Sequence, residues 1–252
     1  MGISTADAVK IQVYTPEDMT IYAENSDFLI KYGPWRGRDL YSLYQNTQTP
    51  SKWLPKLFEY AKEIDIPLFA SVFSQRGLFE LCAFDPPAYK IASFELVDTY
   101  LIRKVAKKGK PIILSTGMAD LNEIDEAMNC VNPQNVVLMH CVSAYPTKLE
   151  HANLWRIPQL MSYYNVPIGF SDHTMGHVEA QYAVAMGARL VEKHFSLDGS
   201  SSEDKTFSFG PAAFYIYAEG CRRASQATFR CPSPDETYSR QFRRSLYAVK
   251  DI

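Results

Sequence analysis

The chain has 252 residues, of which 46% are hydrophobic, and a formal net charge of -2 at neutral pH. A chain of this length buries a full core, and we expect one domain. Neither sign of charge forms a long run, which argues against nucleic-acid or membrane-surface partners and favours a small-molecule substrate. No apolar run approaches the roughly 20 residues of a membrane span, and the N-terminus lacks the regions of a secretion signal, so we expect a cytoplasmic protein.

The cysteines of the chain indicate reduced thiols. They are odd in number and contain no CxxC pair: Cys82, Cys130, Cys141, Cys221 and Cys231. This pattern fits buried free thiols better than disulfides or a structural zinc site.

Short apolar strands alternate with helices along the whole chain. The seven predicted strands are residues 7–12, 67–72, 88–93, 111–115, 136–141, 167–171 and 190–195. Helix signals lie between them, such as Thr49 with Pro50 at one start, the capping box of Asp120 and Glu123 at another, and Gly109 after a helix end. This alternation predicts parallel strands joined by right-handed crossovers, in a closed barrel or in an open doubly wound sheet.

Two observations favour the barrel. The early strands are not followed by the glycine-rich GxGxxG or GxxxxGK[ST] turns that bind nucleotides. Polar residues lie at the C-terminal end of nearly every strand, where barrel enzymes collect catalytic groups from several loops. These residues are Lys10, Gln12, Ser71, Lys90, Ser93, Glu95, Ser115, Thr116, His140, Ser143, Tyr145, Ser171, Asp172, His173, Lys193 and His194.

Lys10 and Lys90 lie inside strands that are otherwise apolar. Burying an ammonium group is costly unless an anion meets it, so the two lysines predict an anionic ligand at the barrel mouth. The competing interpretation is that both lysines reach solvent at the strand ends. The nearby stretch ILSTGMA, residues 113–119, adds hydroxyls and backbone amides that suit phosphate oxygens.

His173 and His194 end neighbouring predicted strands, so we expect their rings to approach each other. Two neutral imidazoles that leave coordination positions open fit a catalytic divalent metal, whereas a structural zinc takes four protein ligands. For a single histidine, a hydrogen-bonded core position is the better interpretation. We assign that interpretation to His151 and His177, while His140 stays ambiguous.

Seven motifs resemble, in chain order, those of the sialic acid synthase family. They are ADAVKIQVYTPEDMT (6–20), PAYKIASFEL (87–96), GKPIILSTGMA (109–119), HCVSAYPT (140–147), GFSDHTMG (169–176), VEKHFSLD (191–198) and RRSLYAVKDI (243–252). These enzymes condense phosphoenolpyruvate with an N-acylated amino sugar to make nine-carbon nonulosonic acids. The resemblance implies a phosphoenolpyruvate-binding TIM barrel with manganese or magnesium at its C-terminal mouth, and a homodimer in the full-length family.

The resemblance also implies roles for individual residues. His173 and His194 are the expected metal ligands and, together with Glu95, the expected catalytic residues. The residues expected to hold phosphoenolpyruvate are Lys10, Ser71, Lys90, Ser93, Ser115 and Ser171. The positions expected to touch the sugar are Gln12, Glu95, Ser143, Tyr145 and Asp204, with Ser143 in place of an asparagine that is common in the neuraminate enzymes.

Three local features favour the acceptor of the pseudaminic acid synthases, 2,4-diacetamido-2,4,6-trideoxyaltrose. Phe94 stands where neuraminate synthases have glycine, although it could equally pack between the barrel and a helix. The stretch EDKTFSF, residues 203–209, replaces their GPDH pattern, and the aromatic-rich loop 35–50 resembles that of pseudaminic acid synthases. The alternatives are an N-acetylneuraminate or legionaminate synthase, an aldolase with a Schiff base on Lys90 or Lys193, and an inactive barrel fragment.

A further expectation concerns the two ends of the chain. Residues 7–12 resemble the family's second strand, so we expect the first strand and helix to be missing and residues 7–12 and 190–195 to be unpaired edges. Residues 1–242 form the expected barrel domain, and residues 243–252 form the expected start of a linker to an absent antifreeze-like (SAF) domain. We therefore expect little synthase activity from the chain as given until those segments are restored.

Overall fold

The computed structural model describes residues 6–228 and 236–240. Its centre is one parallel sheet of seven strands that lie in the order of the sequence. The strands are Val9–Val13 (β1), Leu68–Val72 (β2), Tyr89–Ile91 (β3), Ile112–Ser115 (β4), Val136–Cys141 (β5), Ile168–Asp172 (β6) and Leu190–Lys193 (β7). This order confirms the predicted strands and excludes a doubly wound sheet, in which the strand order reverses at a switch point.

Helices connect the successive strands, and further helices follow β7. They are Pro16–Met19 (α1), Leu40–Thr47 (α2), Leu54–Glu63 (α3), Gln75–Cys82 (α4), Thr99–Ala106 (α5), Leu121–Met128 (α6), Arg156–Tyr164 (α7), Val178–Ala185 (α8), Pro211–Ala227 (α9) and Thr237–Arg240 (α10). The capping box of Asp120 and Glu123 at the start of α6 is confirmed, and Gly109 follows α5 with a φ of 70°. The predicted cap at Thr49 is wrong, because a 3-10 turn over Ser51–Trp53 precedes α3 and its N-cap is Pro50.

The alternation of side chains along each strand divides the sheet into two faces. The outer face packs against the helices through apolar side chains that are at most 2% exposed, such as Ala70, Ile91, Leu114, Leu138 and Phe170. The inner face carries polar side chains in register, with Gln12 beside Ser71 and Ser71 beside Lys90. Since the core lies between the sheet and the helices, the inner face is left for a ligand.

The sheet curls until its first and last strands approach each other. Lys10 Nζ of β1 donates to Glu192 Oε1 of β7 at 2.8 Å, although within the described residues no backbone ladder joins these two strands. The curled parallel architecture is the one expected of a TIM-type fold. The absence of a first strand and helix stays a prediction, and the motif at 243–252 with its domain boundary lies outside the described residues.

Two further observations concern the cysteines and the length and polarity of the helices. Cys82, Cys130, Cys141 and Cys221 carry free thiols, whereas Cys231 lies outside the described residues. Within residues 6–228 and 236–240, none of the helices has the length and apolar character needed to cross a bilayer.

Candidate active site

The two predicted lysines both interact with Glu192 on the inner face of the sheet. They lie near the mouth, which is the end of the sheet where the C-termini of its strands lie. Lys90 is 1% exposed, and its ammonium donates to Ser115 Oγ at 2.6 Å. Lys10 pairs with Glu192, which also accepts a hydrogen bond from Ser171 Oγ at 3.1 Å. The interpretation in which both lysines reach solvent is therefore wrong for Lys90, and the Lys10 side chain is 18% exposed.

Glu192 is the site residue that sequence analysis missed. Burial alone would raise its pKa, but Lys10 and Lys90 hold the pKa of this carboxyl well below its usual range, so it is ionised. Burial lowers the pKa of Lys90. Two lysines thus share one glutamate, which leaves a site suited to an anionic ligand. The sequence did contain a signal for Glu192. It lies two residues before His194, and side chains two positions apart along a strand point to the same face.

Four small residues line the neighbouring part of the mouth. The Gly117 amide donates to Ser93 Oγ at 3.1 Å, and that oxygen also lies 3.1 Å from Cys141 Sγ. A Cβ atom on Gly117 would lie 2.4 Å from Ser143 Oγ and 2.8 Å from Ser93 Oγ. Only glycine allows the backbone and these two hydroxyls to approach so closely, which is the arrangement expected of the 113–119 stretch.

The two predicted metal-binding histidines lie side by side, with ring centroids 5.5 Å apart. His173 Nδ1 lies 2.7 Å from the carbonyl oxygen of Val142, so it carries the proton and donates. His194 Nδ1 lies 3.3 Å from Asp204 Oδ2. In both rings the partner engages Nδ1, which is the outer hydrogen bonding typical of metal-ligating histidines. The Nε2 atom of His173 lies 3.4 Å from Ser171 Oγ.

The protonation state of His173 also suits a metal. Burial lowers its pKa to about 4, with a smaller contribution from His194, so the ring is neutral at physiological pH. Neutral imidazole is the form that binds metal ions. No cluster of three or more potential ligands surrounds the pair in the part of the chain that the structure describes. An ion held by two imidazoles would keep positions for water and substrate oxygens, as catalytic metals do.

An aromatic wall, formed by Trp35, Tyr145 and Phe207, borders the two histidines. The centroid of the Tyr145 ring lies 4.3 Å from that of the His173 ring and 6.1 Å from that of the His194 ring. The ring centroid of Phe207 lies 5.0 Å from those of Tyr145 and His194. The ring centroid of Trp35 lies 5.9 Å from that of Phe207. The loop 35–50 and the stretch 203–209, distinguished by sequence alone, therefore meet beside the histidine pair.

Ionic and hydrogen-bonded contacts fix the aromatic wall in place. Arg38 forms an ion pair with Glu203, and Trp35 Nε1 donates to the carbonyl oxygen of Glu203 at 3.3 Å. These contacts hold the two segments together, so the aromatic wall has a fixed position at the mouth.

The 3-10 turn over Ser93–Glu95 places two predicted residues just after β3. Phe94 is 64% exposed, so the interpretation in which it packs between the barrel and a helix is wrong. Burial raises the pKa of the Glu95 carboxyl to about 7, and Glu95 Oε2 and Ser71 Oγ are buried without a hydrogen-bond partner among the described residues. A carboxyl that titrates near neutral pH is suited to proton transfer.

Several polar residues at the strand ends lie away from the mouth. His140 is on the outer face, where its Nε2 lies 2.8 Å from the carbonyl oxygen of Ala152. His177 is the N-cap of α8, and His151 ends a 3-10 turn. The expected hydrogen-bonded core position is wrong for both, because His151 is exposed and His177 Nδ1 is buried without a hydrogen-bond partner among the described residues. Lys193 donates to backbone carbonyls behind the sheet, which removes it as a Schiff-base candidate at this site.

Comparison with known proteins identifies the family. The NeuB family profile matches residues 3–230. The chain is 42% identical to pseudaminic acid synthase of Campylobacter jejuni over 98% of its length and 74% of that protein. It is 40% identical to the pseudaminic acid synthase of Helicobacter pylori, over 99% of the chain and 76% of that protein. The crystal structure of N-acetylneuraminic acid synthetase from Leptospira borgpetersenii superposes with a TM-score of 0.82 at 29% identity, covering 96% of this chain and 82% of that one. The chain therefore belongs to the NeuB family and is an enzyme of the pseudaminic and sialic acid synthase type.

Proposed function

We propose that this chain condenses phosphoenolpyruvate with 2,4-diacetamido-2,4,6-trideoxyaltrose to give pseudaminic acid and phosphate. The methylene carbon of phosphoenolpyruvate forms a bond to the aldehyde carbon of the open-chain sugar, whose oxygen takes up a proton. Water then adds to the carbon that bears the phosphate, and the carbon-oxygen bond to phosphate breaks to leave the keto acid. The observation that carries the proposal is a pair of adjacent imidazoles, each held by the protein through Nδ1, beside a two-lysine pocket.

Phosphoenolpyruvate fits the mouth because its charge matches the pocket. Lys10 and Lys90 neutralise its phosphate and carboxylate, and Ser115 already lies within hydrogen-bond distance of Lys90. Ser93, whose hydroxyl oxygen accepts a hydrogen bond from the Gly117 amide, supplies a neutral donor beside them. Fixed donors of this kind stabilise anionic oxygens throughout the reaction without reorganising.

His173 and His194 would hold the divalent ion, manganese or magnesium. When bound, such an ion polarises the sugar aldehyde and makes its carbon electrophilic. The protein's part is to orient both rings, through the Val142 carbonyl at His173 and the Asp204 carboxylate at His194, and to keep His173 neutral by burial.

Glu95 is the proposed proton carrier. In its ionised form it accepts a proton from the water that adds to the phosphate-bearing carbon. Its pKa of about 7 divides the carboxyl between its two forms near physiological pH, which is the condition for an efficient general base. The unpartnered Oε2 atom is the oxygen available for this role.

The preference for a deoxy, diacetylated sugar is proposed from the aromatic wall and Phe94. The sugar's methyl and second acetyl group gain apolar contacts where other acceptors carry hydroxyls. Phe94, 64% exposed at the mouth, offers one such contact. A single apolar contact discriminates by about 1 to 3 kcal/mol, so we expect a preference of roughly 10-fold or more in kcat/KM.

Coupled measurement of phosphate release against a panel of sugars tests the proposal. We expect kcat/KM for the trideoxyaltrose to exceed that for N-acetylmannosamine. Phe94→Ala should reduce this ratio, whereas Phe79→Ala, which removes an 82% exposed ring on α4, should leave it unchanged. Equal or reversed preference returns the assignment to a neuraminate or legionaminate synthase.

Two further outcomes would indicate a different chemistry or none. Borohydride trapping of an adduct on Lys90, together with activity that resists EDTA, would establish a Schiff-base aldolase. Phosphate release with none of the sugars would establish an inactive barrel.

A further inference from the structure

We propose that a cluster on the outer face of the sheet, formed by Asp172, Thr174, Lys193 and Tyr217, positions the two histidines for the metal ion. The inference rests on the proposed function, since it concerns the same histidine pair. Asp172 and Lys193 are paired Cα partners of β6 and β7, and each immediately precedes one of the histidines. Because side chains alternate, the cluster lies directly behind the metal site and out of reach of the substrates.

Asp172 closes a tight turn around the backbone of His173. Its Oδ1 atom accepts hydrogen bonds from the amide and from the hydroxyl of Thr174, each at 2.8 Å. Its Oδ2 atom accepts from the hydroxyl of Tyr217, on α9, at 2.9 Å. Asp172 is 0% exposed, so its carboxylate spans His173 and anchors this turn to a helix.

Lys193 ties the other histidine to the same turn. Its ammonium donates to the carbonyl oxygen of Asp172 at 3.2 Å and to that of Thr174, the residues on either side of His173. It also lies 4.4 Å from the centroid of the Phe209 ring. Since His194 follows Lys193 directly, these bonds fix the backbones of both histidines relative to each other.

The chemistry of the cluster argues for a positioning role rather than for stability alone. Buried charges are costly to desolvate, and apolar residues of similar volume are often equally stabilising at such positions. A buried carboxylate and a partly buried ammonium that both bond to the chain around His173 instead give a precise geometry. Groups that orient metal ligands typically change metal affinity by 10- to 100-fold when they are removed.

Tyr217→Phe is the first test, with Tyr164→Phe as its matched control. Both changes remove a hydroxyl that donates to an aspartate at 2.9 Å, since Tyr164 donates to Asp125 on α6, away from the mouth. The dissociation constant of manganese is measured by electron paramagnetic resonance, at a temperature at which circular dichroism shows each variant folded. We expect Tyr217→Phe to weaken manganese binding by 10-fold or more and Tyr164→Phe to leave it unchanged.

A second pair of variants provides a test by rescue. Thr174→Val removes the hydroxyl that donates to Asp172, whereas Thr174→Ser keeps it. We expect the valine variant to bind manganese more weakly and the serine variant to bind it as the wild type does. In the active enzyme, the KM for manganese should rise in the valine variant while kcat at saturating manganese largely recovers, which loss of stability alone would not produce.

The outcomes separate this inference from the proposed function. Wild-type affinity in both Tyr217→Phe and Thr174→Val would overturn the inference and leave the metal-dependent synthase standing. A wild-type protein that binds no manganese would overturn the metal site of the proposed function, and the inference with it.

Discussion

Glu95→Gln is the perturbation whose effect the structure predicts most fully. Burial raises the pKa of this carboxyl from 4.5 to about 7. One pKa unit corresponds to about 1.4 kcal/mol, so ionising Glu95 in the folded protein costs on the order of 3 kcal/mol relative to the unfolded chain. Glutamine has nearly the same shape and carries no charge. The variant should therefore gain stability relative to the wild type above about pH 4.5, where the carboxyl of the unfolded wild-type chain ionises.

The sign of the effect sets its pH range. Between pH 4.5 and 7 the folded wild type holds a proton that the unfolded chain releases, so raising the pH through this range lowers its stability relative to the variant. Urea unfolding at about pH 5, 6, 7 and 8 measures the difference in free energy of unfolding. We expect this difference to grow with pH and to level off above about pH 7.

The same variant tests the proposed role of Glu95 in catalysis. A general base must be ionised, so wild-type kcat should rise through about pH 7, and Glu95→Gln should lose most of its activity together with this limb of the profile. Glu59→Gln, at an exposed position of α3, is the control and should change neither measurement. A stability difference independent of pH, or a variant with the wild-type pH profile, would refute the reasoning.

The other predictions concern the metal site and the phosphate pocket. His173→Ala and His194→Ala should each abolish manganese binding and turnover while the circular dichroism spectrum stays that of the wild type, and metal-dependent activity in both variants would show that the site is wrongly assigned. Gly117→Ala should raise the KM for phosphoenolpyruvate at least 10-fold, because its Cβ would lie 2.8 Å from the oxygen of Ser93, a residue expected to hold this substrate, and an unchanged KM would exclude this part of the mouth from the binding site.

Local patterns in the sequence determined the elements of the fold. Each predicted strand is an apolar run bounded by turn residues, and β5 has its predicted bounds, Val136–Cys141. The capping box of Asp120 and Glu123 was recognisable because its bonds join residues three positions apart. The positions of Lys10 and Lys90 within strands, and of His173 and His194 just after strands, were visible for the same reason, since each depends on its own strand.

Contacts between distant segments were decided by the tertiary structure alone. Lys10 and Glu192 are 182 positions apart, so their pairing depends on the curl of the whole sheet and has no local signal. His194 and Lys193 are neighbours in sequence, yet His194 faces the mouth and Lys193 faces Phe209 on the other side of the sheet, because alternation assigns opposite faces and only packing decides which face is inside. Local patterns specify the strands and their polar residues, whereas the cross-strand environment specifies which of those residues are brought together and how each one is charged.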